Sequence, residues 1–459
     1  MLKKAIGSFI IQFAGSIFGF LFQFLAAKFL GAEEYGKYNY YFGFVGSIGV
    51  FFFFGFSYYL PKIIHQSDKS KLISEVITSH LLIFLPASVI LFYFLNLSFK
   101  NFNITFLVLF GIYVFSLIEI MRSYYVADSR PIKAAFLKSF LLNLFMILIF
   151  FISLNFNKTF WILLIAFIVS HLIILLPFVI KNLHTLKPNF NLLKGAFSFY
   201  IVQVLYTTYA HFSKVIQGEF QSYEILAVLS ISIVVGKIIT MLGTNFSLVL
   251  MPEFSKAWSN GNFKLIEKYF NQISRINIYI ITPISIFMIM NTNRILQFLG
   301  DGFVDREIIF ILIIFSSTIT AFVGPNGAVL LMTGNDRKEI TNGFLMLFSG
   351  LILGLIFGPI YYFGIALSIA SAEIIVAISK RIMTYRILNL RFINKKTLSF
   401  MFLIMVVELV IFNFLSFIDN SIFWILLNLS SLTIFVLLSF FLSPNKSDKL
   451  FIFSFFKIN

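Results

Sequence analysis

Long apolar stretches recur along the whole chain, and short polar segments separate them. Each stretch is close to the roughly 20 residues that a helix needs to cross a bilayer, where lipid offers backbone groups no hydrogen-bond partner. We predict about 14 spans, at residues 6–30, 38–60, 77–97, 104–126, 134–154, 160–180, 195–217, 223–251, 276–292, 307–333, 342–360, 364–384, 400–418 and 422–442. The pattern therefore predicts an all-α integral membrane protein.

The composition agrees with this interpretation. Hydrophobic residues make up 59% of the chain and charged residues 12%, whereas a soluble domain carries about 25% charged residues. Stretches such as 51–54 and 162–174 have no polar face, which a helix at the surface of a soluble protein would need. A large soluble protein with buried helices is thereby excluded.

Basic residues set the predicted orientation. Most of the 35 Lys and Arg residues cluster at the N-terminus, at the C-terminus and in the even-numbered loops. Cytoplasmic loops carry such an excess of Lys and Arg, so both termini are predicted to be cytoplasmic. The net charge of +16 then belongs to segments that flank the membrane, and nucleic-acid binding is not predicted.

Enzymatic chemistry has little support in the residues. The chain has no cysteine, which excludes disulfides and thiolate sites. The five histidines lack metal-ligand spacing, and no HExxH or phosphate-loop motif occurs. An integral-membrane glycosyltransferase or polymerase would need clustered carboxylates on outer loops, but the longest predicted outer loop, 293–307, holds only Asp301, Asp305 and Glu307. We expect no resident cofactor, and no enzyme.

Two stretches of the chain look alike, at residues 26–61 and 212–252. In each, a helix with a lysine near its end leads into a short turn with glycine and glutamate, followed by a second helix that stops at a proline. The second copy begins six predicted helices after the first, so both have the same orientation. Parallel repeats of this kind place a substrate site between the two halves.

Four segments carry a family resemblance. They are 26–38 (AAKFLGAEEYGKY), the proline exit at 251–261, 324–337 (GPNGAVLLMTGNDR) and 359–373 (PIYYFGIALSIASAE). In their order and spacing they resemble the polysaccharide-transporter branch of the multidrug/oligosaccharidyl-lipid/polysaccharide flippases. The resemblance implies two six-helix lobes, 1–188 and 189–399, facing a central cavity, with two appended helices in 400–459.

The resemblance also implies a function. Members of this branch move undecaprenyl-pyrophosphate-linked repeat units of O-antigen or capsule across the bacterial cytoplasmic (inner) membrane by alternating access. It implies a monomer whose partners are the lipid-linked oligosaccharide, membrane lipids and the glycan polymerase and chain-length machinery of lipopolysaccharide or capsule synthesis. Cation-coupled multidrug efflux and flipping of the peptidoglycan precursor lipid stay open as alternatives.

Charges within the spans are candidates for the substrate site, because each costs about 2.5–3.5 kcal/mol at a helix centre. Lys237 lies about 15 residues into its predicted helix, too deep to reach the headgroups easily. Lys28 and Lys214 lie within about two turns of a helix end, where snorkelling to the headgroups is the alternative. With Arg122 towards the cytoplasm, these lysines predict a cationic cavity for a lipid-linked pyrophosphate.

Polar side chains among the apolar residues are candidates for binding sugar. They lie on the seventh and eighth predicted helices: Gln203, Tyr206, Tyr209, His211 and Asn245. Hydrogen bonding between helices is the alternative, at about 0.6 kcal/mol each on average. Glu119 and Glu373 are candidates for coupling to a proton or sodium ion, although Glu119 and Arg122 share a helical face and can neutralise each other.

Helix breakers inside a span predict a hinge. The breakers are Gly324, Pro325 and Gly327. The proline removes a backbone hydrogen bond and the glycines permit local unwinding, so we expect the tenth helix to bend there. In the loop before the ninth predicted helix, residues 253–275 alternate apolar and polar positions. This pattern predicts a segment that lies along the cytoplasmic membrane surface.

Overall fold

The computed structural model describes residues 2–64, 68–156, 158–184, 187–388, 395–415 and 421–441. These residues form helices joined by short turns, and no strand occurs among them. By their internal contacts they fall into two compact units. Unit 1 holds the described residues up to Ile231 together with Gly354–Ile365, and unit 2 holds the remainder. The all-α prediction is confirmed, and the boundaries of the predicted lobes stay a prediction.

Unit 1 contains eight helices and the start of a ninth, together with Gly354–Ile365, which joins two later helices. The π-helical turn Phe136–Leu141 joins α5 to α6, and a 3-10 turn, Val50–Phe52, follows α1. The helices are α1 (Leu2–Gly49), α2 (Phe56–Ile63), α3 (Lys69–Phe99), α4 (Phe102–Ala127), α5 (Pro131–Ala135), α6 (Leu142–Ser153), α7 (Trp161–Asn182) and α8 (Asn191–Phe220). The central helix α4 packs against α1, α2, α3 and α7.

Unit 2 contains most of the ninth helix and most of the later helical residues. The long helix α10 contacts α12, α16 and α17, so it forms the core of this unit. The helices are α9 (Tyr223–Ser259), α10 (Phe263–Met290), α11 (Thr292–Leu299), α12 (Glu307–Val323), α13 (Asn326–Met332), α14 (Asp336–Phe357), α15 (Gly364–Leu388), α16 (Lys395–Leu415) and α17 (Ser421–Phe441). The hydroxyl group of Ser439 donates to the carbonyl of Tyr279 and ties α17 to α10.

Eight helices among the described residues are long and apolar enough to cross a membrane, or nine if the bent pair α12 and α13 forms one span. In α16 and α17 the described apolar parts are shorter, Ser399–Ile411 and Ser430–Ser439. The chain is thus a multi-pass membrane protein. The total of 14 spans and the position of the termini stay predictions.

Side-chain caps determine where several helices begin. Asp68 accepts a hydrogen bond from the backbone N–H of Ser70 at the start of α3, and Asn101 accepts one from Ile104 at the start of α4. Asn262 caps α10 through the N–H of Leu265. Each cap satisfies an N–H group that has no partner within its helix.

The first two predicted spans meet at a sharp break inside α1. Only Gly31 departs from helical geometry inside α1, with φ 80° and ψ 172°. Glycine adopts positive φ without the steric penalty of a side chain. The Tyr35 hydroxyl, after the break, donates to Gln23 Oε1, before it, at 2.8 Å, although 12 residues of straight helix would span about 18 Å. The predicted turn between the first two spans is therefore present, and it is made at Gly31.

The surface segment predicted at 253–275 is wrong. The chain there belongs to the end of α9 and the first half of α10, and most of its apolar side chains are buried or partly buried, although Phe263 is exposed. Phe254, Ile266 and Phe270 form a core cluster with Val329. The amphipathic pattern was correct, but the apolar face packs against protein in unit 2 instead of lipid headgroups.

Candidate functional site

The predicted site lysine on α8 lies in a tight contact with α1. Lys214 is only 7% exposed, and its Nζ donates to Oδ1 of buried Asn39 at 2.7 Å. Its ammonium group also lies 5.8 Å from the centre of the Phe42 ring. Lys214 is thus neither snorkelling nor open to solvent in this state, and its contact with substrate stays a prediction.

Glycines allow α1 and α8 to approach closely. A Cβ atom added to Gly46 would overlap the ring of His211, and one added to Gly218 would overlap the ring of Tyr40. The His211 ring lies edge-on to Phe42 and Phe115, with centroids 5.7 and 5.9 Å apart. The predicted sugar ligand His211 therefore helps to pack the helices together.

The other predicted ligands differ in exposure. Gln203 and Tyr206 are half-buried on α8, Tyr209 is buried and Lys28 is exposed on α1. Asn245 lies on α9, and its side chain lies outside the described residues. A ligand can reach the surface of Gln203, Tyr206 and Lys28, but it cannot reach the buried side chain of Tyr209.

The turns of the two predicted repeats touch each other within unit 1. The backbone at Gly36 approaches the carbonyl of Tyr223 so closely that a side chain would not fit. Nearby, the Tyr40 hydroxyl donates to the carboxylate of Glu219, and the rings of Tyr40 and Tyr223 meet edge-on at 5.7 Å. Corresponding parts of the two repeats thus pack against each other, and the axis that relates the repeats stays a prediction.

A charged cluster lies on α4 and the π-helical turn of unit 1. Arg122 Nε donates to Glu119 Oε2 at 2.9 Å, as the i, i+3 spacing predicts. Lys138 also donates to Glu119, a contact that sequence spacing does not reveal because the two residues lie on different elements. Arg122 and Lys138 keep 39% and 27% of their side-chain surface exposed. Two cations therefore share one buried carboxylate, which leaves a net positive charge that an anion can reach.

Unit 2 contains a second group of charges. Lys237 is exposed although it lies deep within α9. Its ammonium attracts the carboxylate of Glu373 on α15, and Glu373 Oε2 accepts a hydrogen bond of 2.7 Å from Ser316 of α12. No direct ion pair joins these two described side chains. Lys237 thus remains able to bind an anion, and Glu373 is less constrained than Glu119.

A cavity of about 290 Å³ with both apolar and polar lining lies one helical turn away from Lys237. Thr240, Thr244 and Ser247 follow Lys237 on one face of α9 and line the cavity. Asn277 of α10, Thr320 of α12, and Asn326 and Lys380 also line it. Asn277 Oδ1 and Thr320 Oγ1 have no hydrogen-bond partner in the described part of the chain. Such groups favour a ligand with hydroxyl groups, or ordered water.

The helix break predicted in the tenth span is present and lines this cavity. The helices α12 and α13 meet at an angle of 44°, and Gly324 has φ +88° at the break. Asn326 holds it in place, because its Oδ1 accepts from Thr384 at 2.6 Å and its Nδ2 donates to the carbonyl of Val323 at 2.9 Å. Gly327 lies beside the ion pair of Lys380 with Glu339. The bend at Gly324, Pro325 and Gly327 is confirmed, and motion there stays a prediction.

The site residues that sequence reasoning missed are Asn39, Lys138, Ser316 and the hydroxyl groups of α9. The α9 stripe was visible in principle, because Thr240, Thr244 and Ser247 recur at helical spacing from Lys237. No group of three or more metal-ligating side chains occurs among the described residues. Chemically, the arrangement combines accessible ammonium groups with neutral hydrogen-bonding groups, which suits an anion attached to a hydroxyl-rich molecule.

Comparison with known sequences identifies a family. The sequence profile of the polysaccharide biosynthesis protein family (Polysacc_synt) matches residues 1–258, more than half of the chain. A search of curated proteins finds no significant match.

Solved structures share the fold. The lipid II flippase MurJ in an inward closed conformation superimposes with a TM-score of 0.75 at 18% identity, covering 94% of this chain and 97% of MurJ. An inward-facing multidrug resistance MATE family transporter of the MOP superfamily gives 0.59 at 14% identity, covering 84% and 94%. A MOP superfamily transporter from Pyrococcus furiosus gives 0.58 at 14%, covering 84% and 96%. The chain therefore belongs to the polysaccharide biosynthesis protein family and has the fold of the MOP superfamily transporters.

Proposed function

We propose that this protein is a flippase for an undecaprenyl-pyrophosphate-linked oligosaccharide, such as the repeat unit of an O-antigen or a capsule. It would act by alternating access in the bacterial cytoplasmic membrane and deliver its substrate to the glycan polymerase and chain-length machinery. The family supports a role in polysaccharide biosynthesis. The similarity to MurJ at 18% identity supports the fold alone, so it does not identify the substrate of this protein.

The observation that carries the proposal is the position of Lys237. An exposed ammonium group deep in an apolar helix is costly unless it faces water or a ligand, and here a hydroxyl-lined cavity lies one turn away. In a pyrophosphate with an attached sugar, the pyrophosphate could bind the Lys237 ammonium group and the sugar could bind the neutral hydrogen-bonding groups of the cavity. Arg122 and Lys138 supply further positive charge in unit 1.

Complementation tests this function. The chain is expressed in a bacterium that lacks its repeat-unit flippase, and the lipid-linked glycan that reaches the periplasmic face is measured. We expect export to be restored by the unmodified protein and to fall at least about tenfold in Lys237→Gln, because a charge-assisted hydrogen bond contributes about 1.5–3 kcal/mol. Lys256→Gln is the matched control, since Lys256 is an exposed lysine at the end of the same helix.

Two outcomes would overturn the proposal. Full export by Lys237→Gln at equal membrane abundance would remove Lys237 from the substrate site. Absence of export with a normally inserted protein, together with increased drug resistance in an efflux-deficient strain, would favour multidrug transport.

A further inference from the structure

A surface groove in unit 1 has a composition unlike the sites above. Its volume is about 450 Å³, and it lies between the start of α1 and the turn that joins α4 to α5. Its floor is apolar, from Ile11, Ile132 and Phe136, and its rim carries Arg130 and Lys133. The charge distribution of the sequence predicts that this end of unit 1 faces the cytoplasm.

The rim is positively charged and accessible. Lys69 and Arg130 both contact Asp128, at 2.7 and 3.0 Å, while 49% and 59% of their side-chain surface stays exposed. Lys133 is exposed as well and lies 4.6 Å from the centre of the Tyr125 ring. Two cations thus contact one carboxylate, and Lys133 adds a further positive charge to the groove lining, so this surface carries surplus positive charge that can attract an anion.

The backbone of this turn is well supported. The N–H groups of Asp128 and Arg130 donate to the carbonyls of Tyr124 and Tyr125, both at 2.8 Å. Pro131 occupies the first turn of α5, where its fixed φ favours helix initiation. Ser8 of α1 donates to the carbonyl of Pro131 at 3.3 Å. The groove is therefore held by both helices that form it.

An apolar path leads away from the basic rim. The Phe136 ring at the floor stacks on Phe140 with centroids 5.7 Å apart, and Phe140 contacts Phe18 of α1 edge-on at 5.1 Å. Phe18 lies two helical turns beyond Ile11 on the same face of α1. An amphiphile can therefore place an anionic group at Arg130 and Lys133 and an acyl chain along these rings.

We propose that this groove binds an anionic phospholipid of the surrounding membrane. The phosphate contacts Arg130 and Lys133, and one acyl chain follows Phe136 and Phe140. Basic pockets between transmembrane helices on the cytoplasmic side recognise lipid headgroups in this way. A zwitterionic lipid offers the same chains but brings a cation of its own to the rim, so it binds less well.

Lipid binding to the purified full-length protein tests this site without any transport assay. Native mass spectrometry counts bound phosphatidylglycerol in a titration, with phosphatidylcholine as the neutral comparison. We expect Arg130→Gln/Lys133→Gln to bind phosphatidylglycerol at least about tenfold more weakly than the unmodified protein. Lys71→Gln/Lys181→Gln removes two exposed lysines of unit 1 outside the groove, and we expect it to bind normally.

The single variant Lys133→Gln guards against misfolding, because it leaves the pair of Arg130 with Asp128 intact. It should weaken binding and leave the unfolding temperature in phosphatidylcholine unchanged. Equal loss of binding in both double variants would overturn the proposal, because the attraction would then be nonspecific. Unchanged binding in Arg130→Gln/Lys133→Gln would also overturn it. So would displacement of phosphatidylglycerol by an equal concentration of undecaprenyl phosphate, which would assign the groove to the polyprenyl carrier.

Discussion

Lys214 of α8 donates a hydrogen bond to Asn39 of α1, and both side chains are buried. A buried ammonium group is stabilised only where polar groups replace its hydration. In this structure Asn39 Oδ1 accepts a hydrogen bond from the Lys214 ammonium group and replaces part of its hydration. The lysine that sequence patterns propose for substrate binding therefore holds two helices together.

Replacing Asn39 should destabilise the protein through Lys214. We expect Asn39→Leu to lower the free energy of unfolding by about 2 kcal/mol, because a hydrogen bond to a charged group is lost inside the protein. In a Lys214→Met background the same change should cost much less. Equilibrium unfolding in micelles measures the double-mutant cycle, and equal costs in both backgrounds would contradict the coupling.

The close contact at Gly46 gives a steric prediction. We expect Gly46→Ala to cost about 1–3 kcal/mol of stability, because the new methyl group overlaps the ring of His211. His211→Ala should remove most of that cost when the two changes are combined. Thermal unfolding of the four proteins in the cycle provides the measurement, and an unchanged cost in the double variant would place the strain elsewhere.

The carboxylate of Glu119 balances two cations. Glu119→Gln should destabilise unit 1 by about 3 kcal/mol, because Arg122 and Lys138 then repel each other in a low-dielectric setting without a carboxylate. Glu119→Gln/Lys138→Met should recover much of this loss. If the double variant also exports glycan normally, Glu119 serves charge balance and is not the coupling residue. A double variant as unstable as Glu119→Gln would exclude repulsion as the cause.

The break between α12 and α13 should limit the transport rate. Gly324→Ala places a side chain at φ +88° and against Ser274, so we expect slower export at equal membrane abundance. Gly334→Ala is the matched control, because Gly334 has φ +73° and open space around it. Both changes carry a backbone penalty of roughly 1–2 kcal/mol. Equal export rates in the two variants would show that the helix break is not a hinge for transport.

Local spacing was enough for several features of the site. Glu119 and Arg122 pair because residues three apart share a helical face, and the bend at Pro325 follows from a missing backbone N–H. By contrast, Lys138 joins Glu119, and Asn39 joins Lys214, only through helix packing. No periodicity of one helix specifies its partner on another.

By itself, the sequence determined that the protein consists of membrane-spanning helices. Its apolar stretches are long enough to cross a bilayer, and in lipid a helix is one of the few structures in which all backbone groups are hydrogen-bonded. It also determined the position of the helix break. Only the tertiary structure decided which polar side chains become buried between helices, such as Lys214, and which remain accessible, such as Lys237. The physical reason is that burial depends on the surfaces of neighbouring helices, and close approach at glycines such as Gly46 allows those surfaces to meet.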